Sequence, residues 1–168
     1  IIIIAGPNGA GKTTASKLLL PELFQVSIFI NADQIAYNLN ANSPESVAIE
    51  AGRKMLNDIN DCLDKNVSFV IETTIATKSY VLLIKKAQKI GYEVVLVYFW
   101  IESVEQAIER VARRVRQGGH YIPNEVVERR YLSGIRNLLR LFLPIVDKWV
   151  IFDNSDSTLE QPKRIDEK

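Results

Sequence analysis

Eight consecutive residues near the start of the chain have the types and the spacing that phosphate binding requires. The segment Gly6-Pro7-Asn8-Gly9-Ala10-Gly11-Lys12-Thr13 matches the pattern G-x-x-x-x-G-K-S/T. Its glycines allow backbone N–H groups to turn inward around phosphate oxygens, and a following helix directs its positive dipole end at the same anion. The spacing therefore predicts a nucleotide phosphate loop rather than an ordinary glycine-rich turn between a strand and a helix.

Three side chains at the end of this loop have predicted roles toward a nucleotide and a metal ion. Lys12 is expected to reach the β- and γ-phosphates, and the Thr13 hydroxyl is expected to hold Mg²⁺ between oxygens of those two phosphates. Thr14 is a nearby secondary contact. The predicted cofactors are ATP, with GTP as the alternative nucleotide, and Mg²⁺.

Two carboxylates follow later apolar runs, and ligands gather at the carboxyl ends of parallel strands. Asp33 follows the second run, where it could take the proton of an acceptor hydroxyl that attacks the γ-phosphate. Its alternative role is the N-cap of the next helix, and the two roles can coexist. Glu72 ends the third run, where it could orient a metal-bound water, hold an acceptor hydroxyl, or serve only as a cap or turn residue. Thr73 and Thr74 extend this polar rim.

A cluster of arginines on either side of the turn Gly118-Gly119-His120 predicts a helical lid at about residues 110–131. Guanidinium groups stay charged and bind phosphate oxygens in pairs, while the glycines allow a closure that excludes water. The alternative is a solvated basic helix face. His120 is either a lid contact or a structural turn residue. The cluster comprises Arg110, Arg113, Arg114, Arg116, Arg129 and Arg130, of which Arg114, Arg129 and Arg130 are predicted to face the phosphates, with Arg116 in reserve.

Composition limits the classes of partner. The chain has 168 residues and a net charge of +1, which suits one compact domain and gives no global attraction for long nucleic acid or an anionic membrane. No apolar run is long enough to span a bilayer. The single cysteine, Cys62, cannot form an internal disulfide and is predicted to be a small core residue rather than a reactive thiol. We expect a cytoplasmic protein.

Short apolar runs alternate with amphipathic stretches, which predicts an α/β three-layer sandwich with a five-stranded parallel sheet. The P-loop domain is expected to cover residues 1–155. The polar tail at 156–168 is expected to be loosely held or to dock only through Leu159 and Ile165. The predicted strands are Ile1–Ala5, Val26–Ile30, Val67–Ile71, Val94–Trp100 and Trp149–Phe152, and the predicted helices are Lys12–Leu20, Ser43–Asp64, Lys78–Ile90, Val104–Val115 and Pro123–Phe142.

With these features in place, the chain resembles the zeta-toxin family of P-loop kinases, a branch of the nucleoside-kinase-like P-loop NTPases. The resemblance covers nearly the whole chain. It rests on the phosphate loop with Thr14, Asn31-Ala32-Asp33, Glu50-Ala51-Gly52-Arg53, Glu72-Thr73-Thr74, Arg110-Val111-Ala112-Arg113-Arg114-Val115 with Gly118-Gly119-His120, and Arg129-Arg130-Tyr131.

The resemblance implies an ATP-dependent kinase of the 3′-hydroxyl of UDP-N-acetylglucosamine, with Asp33 as general base and Glu72 as its acceptor-side partner. It also implies arginines that clamp phosphates, and an antitoxin protein as a partner. We place Arg53, Thr73 and His120 on the acceptor side as well. Glu50 and Arg53 could instead form a surface ion pair, and Gly52 could mark the close approach of a ligand or another backbone.

Three other functions fit a phosphate loop. A transport or motor ATPase is disfavoured, because Leu132-Ser133-Gly134 lacks the glycine-glutamine continuation of the transporter signature and no strand ends in a paired Asp-Glu. A nucleotide or nucleoside kinase would differ in its acceptor. A nucleotide-binding switch would bind ATP without acceptor-stimulated turnover.

Overall fold

The computed structural model describes residues 1–16, 26–156 and 163–167. Among these residues, six strands form one sheet in the order β2-β3-β1-β4-β5-β6. Neighbouring strands run parallel, except that β6 is antiparallel to β5. The strands are β1 (Ile2–Ala5), β2 (Phe29–Asn31), β3 (Val70–Thr73), β4 (Val95–Trp100), β5 (Lys148–Asp153) and β6 (Lys163–Glu167).

The apolar runs lack polar alternation because both faces of the sheet are covered. In β1, Ile3 and Ala5 belong to one core cluster, whereas Ile2 and Ile4 belong to the other. Since successive side chains of a strand point to opposite faces, the two clusters lie on opposite faces of the sheet. The three-layer α/β prediction is confirmed.

Helices complete the two cores. The cluster that contains Ile3, here called the first core, is covered by α3, α4 and the turn that follows α6. The second core, which contains Ile4, is covered by α5 and α6. The helices are α1 (residues 12–16 as described), α2 (Ala32–Leu39), α3 (Ala48–Asp64), α4 (Ser79–Lys89), α5 (Val104–Arg116) and α6 (Asn124–Asn137); a 3₁₀ turn covers Pro44–Val47 and a π-helical turn covers Leu138–Phe142.

Some predicted elements differ from the structure. The sheet has six strands rather than five, because part of the polar tail, β6, pairs with β5. The tail was predicted to be loosely held because it is polar. An edge strand, however, is held by backbone hydrogen bonds and needs little apolar surface. Ile165 in β6 is 54% exposed, so its side chain is not buried as an anchor. The predicted contact through Leu159 lies outside the described residues.

Two predicted helices are interrupted, and one helix end is confirmed. The stretch predicted as Ser43–Asp64 begins with a 3₁₀ turn, and α3 starts only at Ala48. The stretch predicted to end at Phe142 changes to π-helical geometry after Asn137. Gly91 has φ +94° directly after α4, as a glycine that ends a helix should.

Cys62 lies in the first core and is 7% exposed. Burial raises the pKa of its thiol, which lowers the fraction of reactive thiolate at neutral pH. Both observations support its interpretation as a core residue. In the part of the chain that the structure describes, no helix is long and apolar enough to traverse a bilayer.

Two tyrosines in the core provide a test of the packing. The hydroxyl of Tyr98 on β4 is buried and has no hydrogen-bond partner among the described residues, whereas the hydroxyl of Tyr131 on α6 donates to the carbonyl of Ile101 at 2.8 Å. We expect Tyr98→Phe to leave the free energy of unfolding unchanged or to raise it, and Tyr131→Phe to lower it by about 1 kcal/mol. Urea denaturation of the two variants measures the difference. An equal loss in both would show that the Tyr98 hydroxyl is satisfied.

Candidate active site

A cleft of about 1040 Å³ opens at the carboxyl edge of the sheet and collects most of the residues that were predicted from sequence. It lies where the parallel strands place their loops, as expected for a ligand site in an α/β fold. The predicted residues that line it are Asn8, Gly9, Gly11, Lys12, Thr13, Thr14, Asp33, Glu72, Thr73, Thr74, Arg110, Arg113, Arg114, Arg129 and Arg130, whereas Gly6, Pro7 and Ala10 of the phosphate loop do not line it.

The phosphate loop is packed tightly against its surroundings. Gly6 has φ +142°, and a Cβ at this position would collide with the backbone carbonyl oxygen of Phe99 on β4. Gly11 has φ +79°, and its Cβ would lie 2.5 Å from the Nδ2 atom of Asn154. That same Nδ2 donates to the carbonyl of Ala10 at 2.8 Å. A side chain at position 6 would meet backbone, and at position 11 the positive φ disfavours any residue with a Cβ, so the loop is fixed by its neighbours as well as by its own turns.

Lys12 is buried within the loop. Its side chain is 7% exposed, and Nζ donates to the carbonyl of Pro7 at 2.9 Å. Burial lowers the pKa of this ammonium group, while the nearby carboxylates of Glu72 and Asp33 act in the opposite direction. A phosphate in the loop would supply further negative charge to this buried cation.

Thr13 and Glu72 meet across two neighbouring strands. Glu72 is opposite Ile4 in the register of β3 with β1, so its carboxylate reaches the start of α1. The Thr13 hydroxyl Oγ1 lies 2.9 Å and 3.1 Å from the two carboxylate oxygens of Glu72. Mg²⁺ usually takes one or two carboxylates together with phosphate oxygens and waters, so this oxygen set fits Mg²⁺ beside a nucleotide. Within the described ranges, no group of three or more His, Cys, Asp or Glu side chains could hold a metal ion by itself.

Asp33 lies in the first turn of α2 and lines the same cleft. The cap of α2 is Asn31, whose side-chain Oδ1 accepts from the backbone N–H groups of Asp33 and Gln34 at 2.8 Å and 3.3 Å. Asp33 as the N-cap is therefore wrong, and its carboxylate is not needed for capping. Asn31 is opposite Glu72 in the pairing of β2 with β3, which places Asp33 one strand away from Glu72.

The arginines divide into two groups. Arg110, Arg113 and Arg114 on α5 line the cleft with Arg129 and Arg130 on α6, whereas Arg116 is exposed and does not line it. The three arginines that were predicted to face the phosphates, Arg114, Arg129 and Arg130, thus line the cleft together with Arg110 and Arg113.

Arg110 lines the cleft as well, but its guanidinium is also hydrogen-bonded to backbone carbonyls. Its guanidinium donates to the carbonyls of Asn154 at 2.8 Å and Ser155 at 2.7 Å, and it approaches the carbonyl of Gly9 at 3.5 Å. Burial and then the neighbouring Arg113 lower the pKa of Arg110, which Glu109 and Asp153 partly offset. Arg110 therefore ties the phosphate loop to the segment after β5.

Two predicted acceptor-side residues are not brought into the cleft. Arg53 is exposed on α3 and does not line it, and His120 does not line it either. The backbone carbonyl of His120 accepts from Nη2 of Arg114 at 3.2 Å, which fits a structural turn residue. A Cβ on Gly52 would meet nothing within 4 Å, so among the described residues no second backbone element packs against this face of α3 at Gly52.

Several cleft residues were missed from the sequence. Asn154 follows β5 just as Glu72 ends β3, so the same search at strand ends could have found it. Tyr37 is four residues after Asp33 on α2, which places both on one helix face. Tyr80 gave no comparable signal. The unpredicted residues that line the cleft include Gln34, Tyr37, Ala76, Thr77, Tyr80, Gln117, Ser133, Asn154 and Asp156.

Comparison with known proteins identifies a family for the chain. The model of the family described as Zeta toxin matches residues 1–161. An uncharacterized protein of Haemophilus influenzae is 33% identical over 130 residues, which are 77% of this chain and 91% of that protein.

Solved structures share the fold at low sequence identity. A structure from the PezAT chromosomal toxin-antitoxin system of Streptococcus pneumoniae has a TM-score of 0.69 at 18% identity, covering 99% of this chain and 71% of that one. The AvrRxo1-ORF1:-ORF2 structure with ATP has a TM-score of 0.73 at 16% identity, covering 98% of this chain and 56% of that one.

The hydrogen bonds of Arg110 lead to a prediction about nucleotide binding. We expect Arg110→Ala to raise the Kd for Mg²⁺-ATP about tenfold, because the phosphate loop loses its attachment to the segment after β5. Arg116→Ala, on the same helix but exposed, is the matched control and should change the Kd less than about twofold. Titration calorimetry measures both constants. Similar losses in the two variants would mean that general positive charge, rather than this attachment, supports binding.

Proposed function

Because the chain belongs to the zeta toxin family, we propose that it is an ATP-dependent phosphotransferase that transfers the γ-phosphate to a hydroxyl group of a small acceptor. One observation carries this proposal above the others. A phosphate loop, two carboxylates and a set of arginines converge on a single cleft at the carboxyl edge of the sheet. A phosphate loop alone would serve hydrolysis equally well, whereas the carboxylate of Asp33 provides a base for an acceptor.

On the nucleotide side, the backbone of the loop and Lys12 would hold the β- and γ-phosphates. Thr13 and Glu72 are the residues that would hold Mg²⁺. When bound, the ion would neutralise charge that develops on the phosphate oxygens. Arg110 and Asn154 fix the loop in place, so that its N–H groups need little rearrangement when the phosphates enter.

On the acceptor side, Asp33 would act as the general base. The acceptor oxygen attacks the γ-phosphorus, its proton passes to the Asp33 carboxylate, and the bond from the γ-phosphorus to the bridging oxygen breaks to release ADP. Glu72 lies between the nucleotide side and the acceptor side of the cleft. Its neighbour on the nucleotide side is Thr13, and its neighbour on the acceptor side is Thr73. Arg53 and His120, which the structure leaves outside the cleft, carry no step in this proposal.

The arginines would stabilise the phosphoryl group during transfer. Arg114, Arg129 and Arg130 line the cleft from two helices, so they can approach the equatorial oxygens from more than one side. In phosphoryl transfer the protein contributes positioning and charge stabilisation rather than covalent chemistry, which is the role that this set of side chains suits.

UDP-N-acetylglucosamine is the first acceptor to consider, because the family resemblance implies it. The likeness to a structure from a toxin-antitoxin system supports an antitoxin protein as a partner, and a cytoplasmic location would fit both. Nucleosides are the principal alternative acceptors.

The proposal is tested by measuring ADP release from Mg²⁺ and ATP across UDP-sugars, nucleosides and amino sugars, with mass spectrometry of each product. We expect one class of compound to stimulate ADP release and to gain the mass of one phosphate. ATP turnover that no hydroxyl compound stimulates would favour an ATPase or a nucleotide switch instead.

Two substitutions separate nucleotide binding from transfer. Lys12→Ala should abolish nucleotide binding and turnover together, because it removes the cation at the centre of the loop. Asp33→Asn should keep the Kd for ATP within about twofold and lower kcat by about 10²- to 10⁴-fold, because an amide cannot take the proton. Asp61→Asn, on an exposed turn of α3, is the matched control. Equal loss of binding and transfer in Asp33→Asn would contradict its assignment as the base.

A further inference from the structure

The loop after β3 contains a backbone conformation that its residue rarely adopts. Ile75 has φ +46°, in the left-handed region, where a β-branched side chain is strongly disfavoured. Its side chain is fully buried in the first core, so it cannot relax toward solvent. Such strain persists only where the surroundings hold it in place, and it is concentrated at functional sites.

Helix α6 supplies the surroundings that hold this loop. The side-chain Nδ2 of Asn137 donates to the carbonyl of Ile75 at 2.8 Å, and this hydrogen bond is buried. One turn earlier, a Cβ on Gly134 would lie 2.9 Å from the carbonyl oxygen of Thr74. That oxygen belongs to the backbone and cannot rotate away, so Gly134 permits an approach that alanine would prevent.

This contact occurs where α6 passes across the end of the sheet. Val127 and Tyr131, early in α6, pack in the second core, whereas Leu138 and Phe142, just after it, pack in the first core. The segment therefore crosses from one face of the sheet to the other beyond the carboxyl end of β3. The π-helical turn begins directly after Asn137, and such turns are frequent at functional sites.

The helix and the loop that this contact joins also line the cleft, through other residues. Arg129, Arg130 and Ser133 line it from α6, and the loop lines it through Thr74, Ala76 and Thr77. A rigid attachment between the helix and the loop would therefore fix the distance between the phosphate-facing arginines and the wall beside Glu72.

We propose that Asn137 and Gly134 are positioning residues that clamp the strained Thr74–Thr77 loop to α6, so that the acceptor site and the arginines of α6 move as one body. The clamp itself is a property of the fold. Its effect on the acceptor rests on the proposed function, because only phosphoryl transfer requires the acceptor hydroxyl to be aligned with the γ-phosphate.

Hydrogen-deuterium exchange on the protein without ligands tests the clamp directly. Asn137→Asp keeps the shape of the side chain but replaces the donor with an acceptor, and Gly134→Ala inserts the colliding Cβ. In both variants we expect amides 73–78 to exchange about tenfold faster, while the strands keep their protection. Val146→Ala, a buried substitution at another position of the first core, is the control for general destabilisation. Unchanged exchange at 73–78, or the same increase in Val146→Ala, would overturn the clamp.

Two substitutions of Ile75 provide the backgrounds for a second test. This test asks whether the clamp holds Ile75 in its strained conformation. Ile75→Gly removes the side chain and the penalty of the left-handed conformation, whereas Ile75→Ala removes a similar volume but keeps the penalty. Adding Asn137→Asp should accelerate exchange at 73–78 in the alanine background and have little effect in the glycine background. Equal increments in both would show that the hydrogen bond does not restrain a strained loop.

Kinetics with UDP-N-acetylglucosamine and Mg²⁺-ATP test the consequence for the acceptor. In Asn137→Asp we expect the KM for the acceptor to rise about tenfold and the KM for ATP to stay within about twofold. An equal rise in both constants would contradict a role on the acceptor side. If the unmodified protein does not phosphorylate this compound, the proposed acceptor is wrong, and the exchange experiments still decide the clamp.

Discussion

A buried positive charge at the centre of the phosphate loop is the constraint on which the rest of the site depends. An ammonium group out of water is costly unless it is paired, and the hydrogen-bond acceptor of Lys12 among the described residues is the Pro7 carbonyl, with two carboxylates farther away. The loop can tolerate this group because its backbone is immobilised by β4, by Asn154 and by Arg110. The same immobilisation keeps the Lys12 ammonium group in position for an anion. The buried cation therefore both lowers the stability of the protein and enables it to bind phosphate.

The parallel register converts this local arrangement into a site. Because β2, β3 and β1 are adjacent and end together, Asn31 and Glu72 lie in line with Ile4 just before the phosphate loop. Segments that are far apart in sequence thereby meet within one cleft, as the carboxyl edge of a parallel sheet allows. Helices α5 and α6 then place the arginines over this carboxyl edge of the sheet. No single element carries the proposed chemistry.

The sequence predicted the fold and the contents of the cleft better than it predicted the connections among them. The spacing of the loop and the position of Glu72 at a strand end are local patterns, so they could be read without the structure. The capping of α2 by Asn31 rather than Asp33 depends on a boundary shift of two residues. The hydrogen bonds of Arg110 and Asn137 join positions far apart in sequence, and a helical pattern gives no information about which carbonyl a side chain will reach. Strain at Ile75 had no signal at all, because nothing in its residue type marks a left-handed conformation.

The sixth strand has a consequence for how molecules of this protein meet one another. The residues of β6 are charged apart from Ile165. This strand pairs with the edge of β5 that faces away from β4, and residues 149–152 of β5 are apolar. An open strand of that composition would offer unpaired backbone groups to any neighbouring chain and would promote intermolecular sheet growth. The short charged strand β6 covers this edge of β5 and thereby disfavours self-association. Removal of residues 157–168, which keeps the Asn154 and Ser155 carbonyls for Arg110, would therefore cost solubility before it cost nucleotide binding.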